Sequence, residues 1–362
     1  MLLGIDASRC DPALAGVGRY STEMVRHLVG HRRHRYRLYA NGAARPDWSR
    51  LPGVEWRDIP FPRLWTHLRL SAELLTQPPD LLFVPGHVLP IIRPRRTLVT
   101  IHDLGYRRFP ECHPPRQRLY LRLSTAWSAR VSTMILVDSR ATQADLAAAH
   151  PVAAAKSTVV YPGVSASFRP QAAEVVEAAR RRLGLPDQYL LFVGTIQPRK
   201  NLLRLIKAHG QVPEAPSLVI VGRPGWMSAP IMEYIENASH RVQVLDSVAD
   251  ADLPAVYSGA TALTFPSLYE GFGIPALEAM ACGTAVVAST TSSLPEVVGG
   301  AGILVDPLSV DGIAAAIRRI IGEPDLRYEL GARGRERSRH FTWPTAARQA
   351  LEVMEALFDQ AS

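Results

Sequence analysis

Short apolar runs alternate along the chain with longer stretches in which apolar residues recur every three or four positions. The short runs predict buried strands and the longer stretches predict amphipathic helices, so the pattern is that of an α/β protein. Ser139 is expected to cap the last helix of the first half. In that half the predicted strands are 2–6, 37–40, 81–84, 97–102, 133–137 and 158–164, and the predicted helices are 20–31, 116–129 and 140–150.

The alternation breaks at Pro162-Gly163 and starts again at residue 188. Two doubly wound domains, joined through residues 161–185, explain this order better than one large sheet. In the second half the predicted strands are 189–193, 218–221, 242–245, 262–265 and 285–288, and the predicted helices are 202–209, 230–238, 251–258, 275–281 and 343–358.

Length and composition agree with two globular domains. The chain has 362 residues, of which 47% are hydrophobic and 20% charged, and this balance excludes wholesale disorder. No apolar run reaches the roughly 20 residues of a membrane span, and no signal peptide is recognisable at the N-terminus. The three cysteines are far apart, which indicates neither a disulfide framework nor a zinc cluster. We therefore expect a cytoplasmic protein without a metal or other cofactor.

Charge is unevenly distributed between the two halves. Residues 1–170 contain 24 Arg and Lys against 12 Asp and Glu, and the remainder contains 17 against 21. A basic first half and a mildly acidic second half indicate two domains with different partners. Nucleic acid is not expected as a partner, because no basic run carries the interleaved aromatic residues of a known binding module.

Two cations follow the first strand of the second half. Gly194 permits a close backbone approach, and Arg199 and Lys200 lie beside the start of the next helix. Two cations together with a helix dipole would hold a diphosphate without a metal. The alternative is a solvated basic turn. Only three lysines occur in the chain, which favours the functional interpretation slightly.

Two glutamates, Glu270 and Glu278, lie eight residues apart in the most informative segment of the chain. Pro275 suits the first position of a helix, which places Glu270 in the preceding turn and Glu278 inside the helix. Gly271 and Gly273 leave backbone N–H groups accessible at the helix N-terminus, where an anion binds well. A capping carboxylate and a surface glutamate are the alternative, but that interpretation does not account for the glycines.

The first half offers two weaker candidates. Gly16, Gly18, Arg19 and Tyr20 form a loop that leads into a helix, and this loop is either a tight turn or a binding loop for phosphate or hydroxyl oxygens. His102 lies at the carboxyl end of a predicted strand, where open α/β sheets bind ligands. A lone histidine is more often structural than functional.

Together these motifs resemble the retaining glycosyltransferases of family 4, which have the GT-B fold. The segment from Glu270 to Gly283 is similar to the E-x7-E motif of that family, in the form E-G-F-G-I-P-x-L-E-A-M-A-C-G. Residues 4–6, 16–20, 295–298 and 302–307 fit as well, so the resemblance covers nearly the whole chain.

The resemblance implies two Rossmann-like domains that face a cleft. Residues 1–165 would form the domain on the acceptor side, and residues 166–342 would bind the nucleotide-sugar. A final helix within 343–362 would pack back on the first domain.

The resemblance also implies roles for individual residues. Glu270 would contact the hydroxyls of the donor sugar, Glu278 the ribose, and Arg199 and Lys200 the diphosphate. Together with His102, which matches a histidine near the transferred sugar, Glu270, Arg199 and Lys200 form the predicted catalytic set. The other predicted binding residues are Gly194, Val248 at the base, Phe272, Gly273 and Ile274 at the sugar and diphosphate, and the acceptor or phosphate loop of Gly16, Gly18, Arg19 and Tyr20.

The segment from Gly194 to Asn201 resembles the branch of the family that is rich in mannosyltransferases, and it favours GDP-mannose as the donor. Many members carry Gly-Arg where this chain has Gly194-Thr195, so one cation is missing and Arg199 is expected to compensate. The alternatives are a hexosyltransferase that uses a UDP-sugar and a GT-B nucleotide-sugar epimerase. A non-enzymatic binding protein is disfavoured because the two glutamates and the Arg-Lys pair are intact.

A glycan or lipid-linked glycan is the expected acceptor, and the basic first half is expected to dock on the anionic inner face of the cell membrane. The basic segments 31–37 and 93–96 and the apolar side chains within 60–69 suggest this contact. A soluble, arginine-rich protein is the alternative. The apolar candidates for insertion are Phe61, Leu64, Trp65 and Leu68.

Overall fold

A computed structural model describes residues 1–11, 16–43, 45–238 and 241–359. The chain forms two compact units. The first comprises Met1–Leu104, Arg118–Gly163 and Trp343–Ser362, and the second comprises Gly105–Gln117 and Val164–Thr342. The short segment Gly105–Gln117 is therefore part of the second unit although it lies within the first half of the sequence.

The first unit is built on a parallel sheet with the strand order β3-β2-β1-β4-β5-β6-β7. β1 and β4 to β6 are almost entirely buried, as expected for a parallel sheet covered on both faces. The strands in the described ranges are β1 (Leu2–Asp6), β2 (Arg35–Ala40), β3 (Val54–Asp58), β4 (Leu81–Val84), β5 (Thr97–Ile101), β6 (Met134–Val137) and β7 (Ser157–Val159).

The first helix of the first half is long and amphipathic, and its buried apolar residues belong to the same core cluster as those of β1. The helices of this half in the described ranges are α1 (Val17–Gly30), α2 (Ser71–Thr76), α3 (Gly105–Arg108), α4 (Pro115–Val131), α5 (Arg140–Ala149) and α6 (Pro151–Ala154). A π-helical turn at Thr66–Leu70 and 3-10 turns at Asp47–Arg50 and Pro110–Cys112 complete them.

The second unit repeats the architecture with the parallel order β10-β9-β8-β11-β12-β13. Its strands in the described ranges are β8 (Tyr189–Val193), β9 (Ser217–Val221), β10 (Val242–Leu245), β11 (Ala262–Phe265), β12 (Val286–Ser289) and β13 (Ile303–Val305). Its helices there are α7 (Ala173–Leu183), α8 (Leu202–Gly210), α9 (Ala229–Asn237), α10 (Leu253–Gly259), α11 (Ile274–Ala281), α12 (Leu294–Val298), α13 (Val310–Gly322) and α14 (Pro324–Ser338), with 3-10 turns at Pro198–Lys200 and Gly299–Ala301.

The last helix, α15 (Trp343–Asp359), packs on α1 within the first unit. Trp343 is fully buried there, and its ring meets that of Tyr20 edge-on at 5.7 Å between centroids. No helix in the described part of the chain is long and apolar enough to cross a bilayer.

The α/β prediction is confirmed, and Ser139 caps α5 by accepting a hydrogen bond from the Thr142 N–H at 3.0 Å. β3 and β13 are absent from the predicted elements. Both are edge strands with half-buried residues. β3 alternates apolar with charged residues, and the apolar run of β13 is only three residues long, so neither gives the longer apolar run that predicts a buried strand.

Two other predicted elements differ from the observed ones by three residues or more at one end. The strand predicted over 158–164 is only Ser157–Val159, because Pro162 has no N–H to donate to a sheet and the chain leaves the edge there. The helix predicted from residue 20 begins at Val17, with Gly16 at its N-cap.

Candidate functional site

The ends of two neighbouring strands bring together the residues predicted to bind the donor. β8 and β11 are parallel and adjacent, so the turn Pro198–Lys200 and the segment after Phe265 meet at one edge of the sheet. The Leu268 N–H donates to the Arg199 carbonyl at 2.9 Å. Asn201 holds the turn from the other side, because its amide Nδ2 donates to the carbonyls of Pro266 and Pro307 at 2.9 and 2.7 Å.

Glu270 lies between the two predicted cations. Its carboxylate accepts from the Lys200 Nζ at 2.7 Å through Oε1 and 2.9 Å through Oε2, and the Arg199 Nη1 lies 3.6 Å from Oε2. Lys200 and Glu270 are both buried, at 8% and 6% exposure. The Arg199 Nη1 also donates to the Tyr269 carbonyl at 2.6 Å. Two cations thus flank one carboxylate, an arrangement that suits an anionic ligand.

Two serines that sequence reasoning missed fix the backbone around Glu270. The Glu270 N–H donates to the Ser292 hydroxyl at 2.9 Å. The Ser293 hydroxyl lies 3.0 Å from the Glu270 carbonyl and donates to the Phe272 carbonyl at 2.7 Å. The run Thr-Thr-Ser-Ser before Leu-Pro is a helix-start signal, and it marks these serines as hydrogen-bonding residues without naming their partners.

Gly273 is required by its backbone conformation. Its φ is +106°, and a Cβ there would lie 2.6 Å from the Leu294 Cδ2. Ile274 follows as the first residue of α11, so the chain turns sharply from Glu270 into the helix. The Phe272 ring is buried and meets the Phe341 ring edge-on at 5.6 Å, which anchors this turn in the second unit.

Gly194 lies where the ends of β8 and β9 approach closely. A Cβ on Gly222, after β9, would lie 2.0 Å from the Gly194 carbonyl oxygen. A Cβ on Gly194 would lie 3.7 Å from the Lys200 Cε, so this glycine borders the lysine side chain. Val248 lies partly buried against the core of the second unit, after β10.

Glu278 has a partner of its own. It lies inside α11, is 3% exposed, and accepts a hydrogen bond from the Tyr257 hydroxyl through Oε2 at 2.9 Å. Tyr257, on α10, was not among the predicted site residues.

In the first unit, His102 is buried directly after β5, and both of its ring nitrogens face acceptors. The Nδ1 lies 2.7 Å from the Asp138 carboxylate and the Nε2 lies 2.9 Å from the Pro85 carbonyl oxygen. Burial lowers the pKa of His102, but the Asp138 charge and hydrogen bond and the Pro85 carbonyl raise it, and the net direction is upward. The geometry therefore favours a positively charged imidazolium.

Tyr20, a residue of the predicted loop of the first unit, contacts His102. The Tyr20 ring meets the His102 ring edge-on at 4.7 Å, and its hydroxyl lies 3.2 Å from the Thr100 hydroxyl. Gly16 lies at the exposed N-cap of α1 with φ +61°, Gly18 is buried in its first turn, and Arg19 is partly buried. The structure thus brings Arg199, Lys200 and Glu270 together in the second unit, and Tyr20 and His102 in the first.

The expected membrane-inserting side chains need one correction. Trp65 is only 6% exposed, and its indole N–H donates to the Ile59 carbonyl at 2.8 Å, so it belongs to the core. Phe61, Leu64 and Leu68 are exposed, as expected.

The basic segment 31–37 is also partly neutralised. His34 pairs with Glu355 at 2.9 Å and Arg37 with Glu55 at 2.7 Å.

Comparison with known proteins decides the family. Residues 14–168 match the family described as Glycosyltransferase Family 4, and residues 176–337 match the one described as Glycosyl transferases group 1. The chain is 30% identical to O-antigen chain mannosyltransferase B of Escherichia coli, over 95% of this chain and 97% of that protein. The chain belongs to glycosyltransferase family 4.

Other relatives of this glycosyltransferase agree. The serotype-specific mannosyltransferase WbdA of Escherichia coli is 32% identical over 52% of this chain and 24% of that protein. Sucrose-phosphate synthase from Thermosynechococcus elongatus has a TM-score of 0.81 at 23% identity, with both chains fully covered. HepE of Anabaena, solved with UDP and glucose, has a TM-score of 0.77 at 20% identity and covers 98% of this chain and 99% of its own. The predicted GT-B fold and glycosyltransferase activity are confirmed.

Proposed function

We propose that this glycosyltransferase moves mannose from GDP-mannose to a hydroxyl of a growing glycan and retains the configuration at the anomeric carbon. The observation that carries the proposal is the buried Glu270 carboxylate between Lys200 and Arg199. A carboxylate suits the hydroxyls of a sugar, and the two cations suit the diphosphate to which that sugar is attached.

Donor binding would redistribute the hydrogen bonds of this cluster. Phosphate oxygens would compete with Glu270 for the Lys200 ammonium, which now donates to both carboxylate oxygens. Glu270 would then accept from sugar hydroxyls. Negative charge grows on the diphosphate as the glycosidic bond breaks, and fixed cations stabilise that charge without reorganising during the reaction. In a front-face attack, the departing phosphate would take the proton of the acceptor hydroxyl.

The choice of mannose and of a glycan acceptor rests on relatives. O-antigen chain mannosyltransferase B matches this chain over almost its full length, and WbdA is also named as a mannosyltransferase. HepE was solved with UDP and glucose, but at 20% identity it supports the fold alone. GDP-mannose is therefore favoured over UDP-glucose as the donor.

Nucleotide binding and donor hydrolysis test this proposal without a known acceptor. Calorimetry with GDP, UDP and ADP should give an affinity for GDP at least about tenfold higher than for the others, or about 1.4 kcal/mol. Slow hydrolysis of GDP-α-mannose, followed by proton NMR, should release the α-anomer first. A preference for UDP, or β-mannose as the first product, would contradict the donor or the stereochemistry. Release of an epimerised sugar would instead identify an epimerase.

We further propose that transfer needs no divalent metal. Lys200 and Arg199 supply the positive charge that Mg²⁺ or Mn²⁺ provides in metal-dependent transferases. Hydrolysis of GDP-mannose should therefore continue at an unchanged rate in excess EDTA. Loss of activity in EDTA that Mg²⁺ or Mn²⁺ restores would overturn this part of the proposal.

We also propose that the first unit docks on an anionic membrane through α4. Leu119, Tyr120 and Leu123 are more than half exposed on this helix, and Arg118 and Arg122 are exposed beside them. No acidic residue occurs in the sequence from Cys112 to Val137. An exposed apolar face with basic neighbours is the composition that binds the surface of an anionic bilayer.

The loop before β5 extends this surface. Ile91 and Ile92 are exposed at 56% and 40%. The loop is held against α4 by the Trp127 indole, which donates to the Leu89 carbonyl at 3.2 Å, and by the Ser128 hydroxyl, which accepts from the Leu89 N–H at 3.0 Å. The exposed isoleucines therefore lie on a segment that is packed directly on the basic helix.

Vesicle co-sedimentation tests the membrane contact. The enzyme should bind vesicles that contain phosphatidylglycerol, bind phosphatidylcholine vesicles weakly, and be released by salt, since each basic residue near the surface contributes about 1 kcal/mol at most. Substitution of Leu119 and Leu123 by Ser should weaken binding. Substitution of the exposed Leu308 of the second unit by Ser is the matched control. Equal binding to both kinds of vesicle would contradict the proposal.

A further inference from the structure

A buried tyrosine holds the second glutamate of the E-x7-E motif. Tyr257, on α10, is completely buried, and its hydroxyl donates to the Glu278 Oε2 at 2.9 Å. Glu278 is itself 3% exposed within α11. A carboxylate in such a place needs hydrogen-bond donors to replace water, and Tyr257 supplies one.

Tyr257 is itself fixed at two other points. The Thr284 hydroxyl donates to the Tyr257 carbonyl at 2.7 Å, and the Tyr257 ring packs edge-on against Phe168 at 5.9 Å. A hydroxyl on a ring that is anchored in this way has a defined position. The Glu278 carboxylate is therefore restrained about its terminal torsion, which in an unrestrained side chain turns through a broad range.

The charge of Glu278 affects its surroundings on the same helix. Burial, with the Glu278 charge added, raises the pKa of the Cys282 thiol to about 12. The Glu278 carboxylate therefore lies among buried groups. On the solvated surface, by contrast, water would replace a lost hydrogen bond to this carboxylate.

We propose that Tyr257 is a positioning residue for the donor nucleotide: its hydroxyl orients the Glu278 carboxylate so that this carboxylate accepts hydrogen bonds from the ribose hydroxyls. This inference rests on the proposed function, in which Glu278 contacts the ribose. It adds a residue outside the E-x7-E motif and assigns it a part in selecting a ribonucleotide donor.

Orientation of the carboxylate has a consequence for specificity. A site built to bond a hydroxyl strongly rejects an analogue that lacks it, because the buried acceptor is then left unpaired. Without the Tyr257 hydroxyl, Glu278 turns more freely and gains less from the ribose. The loss of binding affinity should appear with ribonucleotides and be absent with dideoxyribonucleotides.

Calorimetry with GDP and 2′,3′-dideoxy-GDP tests the inference on the full chain. Tyr257→Phe keeps the ring and removes only the hydroxyl. We expect it to weaken GDP binding by about 5- to 10-fold, the effect of one lost hydrogen bond, and to change dideoxy-GDP binding by less than about twofold. The KM for the donor should rise while kcat stays within about twofold of the wild type, since the hydroxyl acts on donor binding alone.

Tyr189→Phe is the matched control. Tyr189 is also a buried tyrosine of the second unit, and its hydroxyl donates to the Val256 carbonyl at 2.6 Å. This variant loses one buried hydrogen bond that does not involve Glu278. Its preference for GDP over dideoxy-GDP should equal that of the wild type.

The outcomes separate the inference from the function on which it rests. If Glu278→Ala leaves the preference for GDP over dideoxy-GDP unchanged, the ribose role of Glu278 is wrong and the inference falls with it. If Glu278→Ala removes the preference and Tyr257→Phe does not, the ribose role stands and the positioning role is overturned. Equal weakening of both nucleotides by Tyr257→Phe would also overturn it. Should that variant not fold, Thr284→Val, which removes the hydrogen bond to the Tyr257 carbonyl and leaves Glu278 in place, is expected to reduce the same preference, and an unchanged preference would overturn the positioning role.

Discussion

Two buried ion pairs lie at the carboxyl ends of parallel strands, one in each unit. In the second unit, the Lys200 Nζ meets a Glu270 oxygen at 2.7 Å. In the first unit, the His102 Nδ1 meets an Asp138 oxygen at the same distance. The first of these pairs has a second cation, Arg199, beside it, whereas the charge of a second carboxylate, Asp103, acts on His102 in the other. Their surroundings therefore suit them to different tasks.

The His102 pair is closed. The Nε2 of His102 donates to the Pro85 carbonyl at 2.9 Å, and Tyr20 packs against the ring, so both ring donors of His102 are used. The Glu270 carboxylate is shared between Lys200 and Arg199. A closed pair orients a side chain, whereas a cluster with two cations gains from an added anion.

The largest expected effect is on sugar transfer, when the cluster of Glu270, Lys200 and Arg199 is disrupted. Lys200→Ala and Glu270→Ala should each lower the rate of donor turnover by roughly 30- to 10³-fold, since a charge-assisted contact in such a site contributes about 2–4 kcal/mol. Turnover of GDP-mannose at equal concentrations of folded protein measures this.

Lys207→Ala is the matched control for the lysine. Lys207 is exposed on α8, where its ammonium lies 5.8 Å from the Tyr234 ring centroid. This variant should turn over at the wild-type rate. Wild-type turnover by Lys200→Ala or Glu270→Ala would contradict the assignment of the cluster.

A smaller effect concerns the acid stability of the first unit. Burial, with the nearby His102 charge added, lowers the pKa of His87 to about 4, while an unfolded chain takes up the proton near pH 6.5. The unfolded state thus binds more protons between these values, and the free energy of unfolding should fall by up to about 2–3 kcal/mol as the pH drops from 6.5 to 4. His87→Gln should remove the part of the decrease in the free energy of unfolding that protonation of His87 causes. Urea unfolding at pH 7 and pH 4.5 measures it, and an equal acid loss in both proteins would contradict the account.

The smallest effect is a shift in titration within the closed pair. The pKa of His102 is raised, so the stabilisation from its charged form is present below about pH 6.5 and is lost as the pH rises through the raised value. In Asp138→Asn, burial is no longer offset by the Asp138 carboxylate, and the pKa of His102 should fall. NMR of the His102 ring follows the titration. An unchanged midpoint would mean that Asp138 does not hold the imidazolium.

Much of this architecture could be predicted from local patterns. Strands such as Leu81–Val84 and Tyr189–Val193 are unbroken apolar runs, and the order of such runs along the chain predicts two parallel sheets. The edge strand Val54–Asp58 could not be predicted in this way, because apolar and charged residues alternate along this half-exposed strand.

The functional site, too, could be predicted only in part, because motifs identify single residues and not their partners elsewhere in the chain. Glu270 and Lys200 could be named from their motifs, but Asp138 lies 36 residues from His102 and Tyr257 lies 21 from Glu278. Such partners depend on how elements pack and on the register between strands. Spacing along the chain carries no signal for them.

The central claim is that the cluster of Glu270, Lys200 and Arg199 holds the diphosphate of the donor. The most direct test is to measure the binding of GDP and of guanosine by the wild type and by Lys200→Ala. Guanosine shares the base and ribose but carries no phosphate. The account predicts that Lys200→Ala weakens GDP binding by about 2–4 kcal/mol in calorimetry and leaves guanosine binding within about twofold of the wild type. Equal weakening of both ligands, or undiminished GDP binding by the variant, would contradict it.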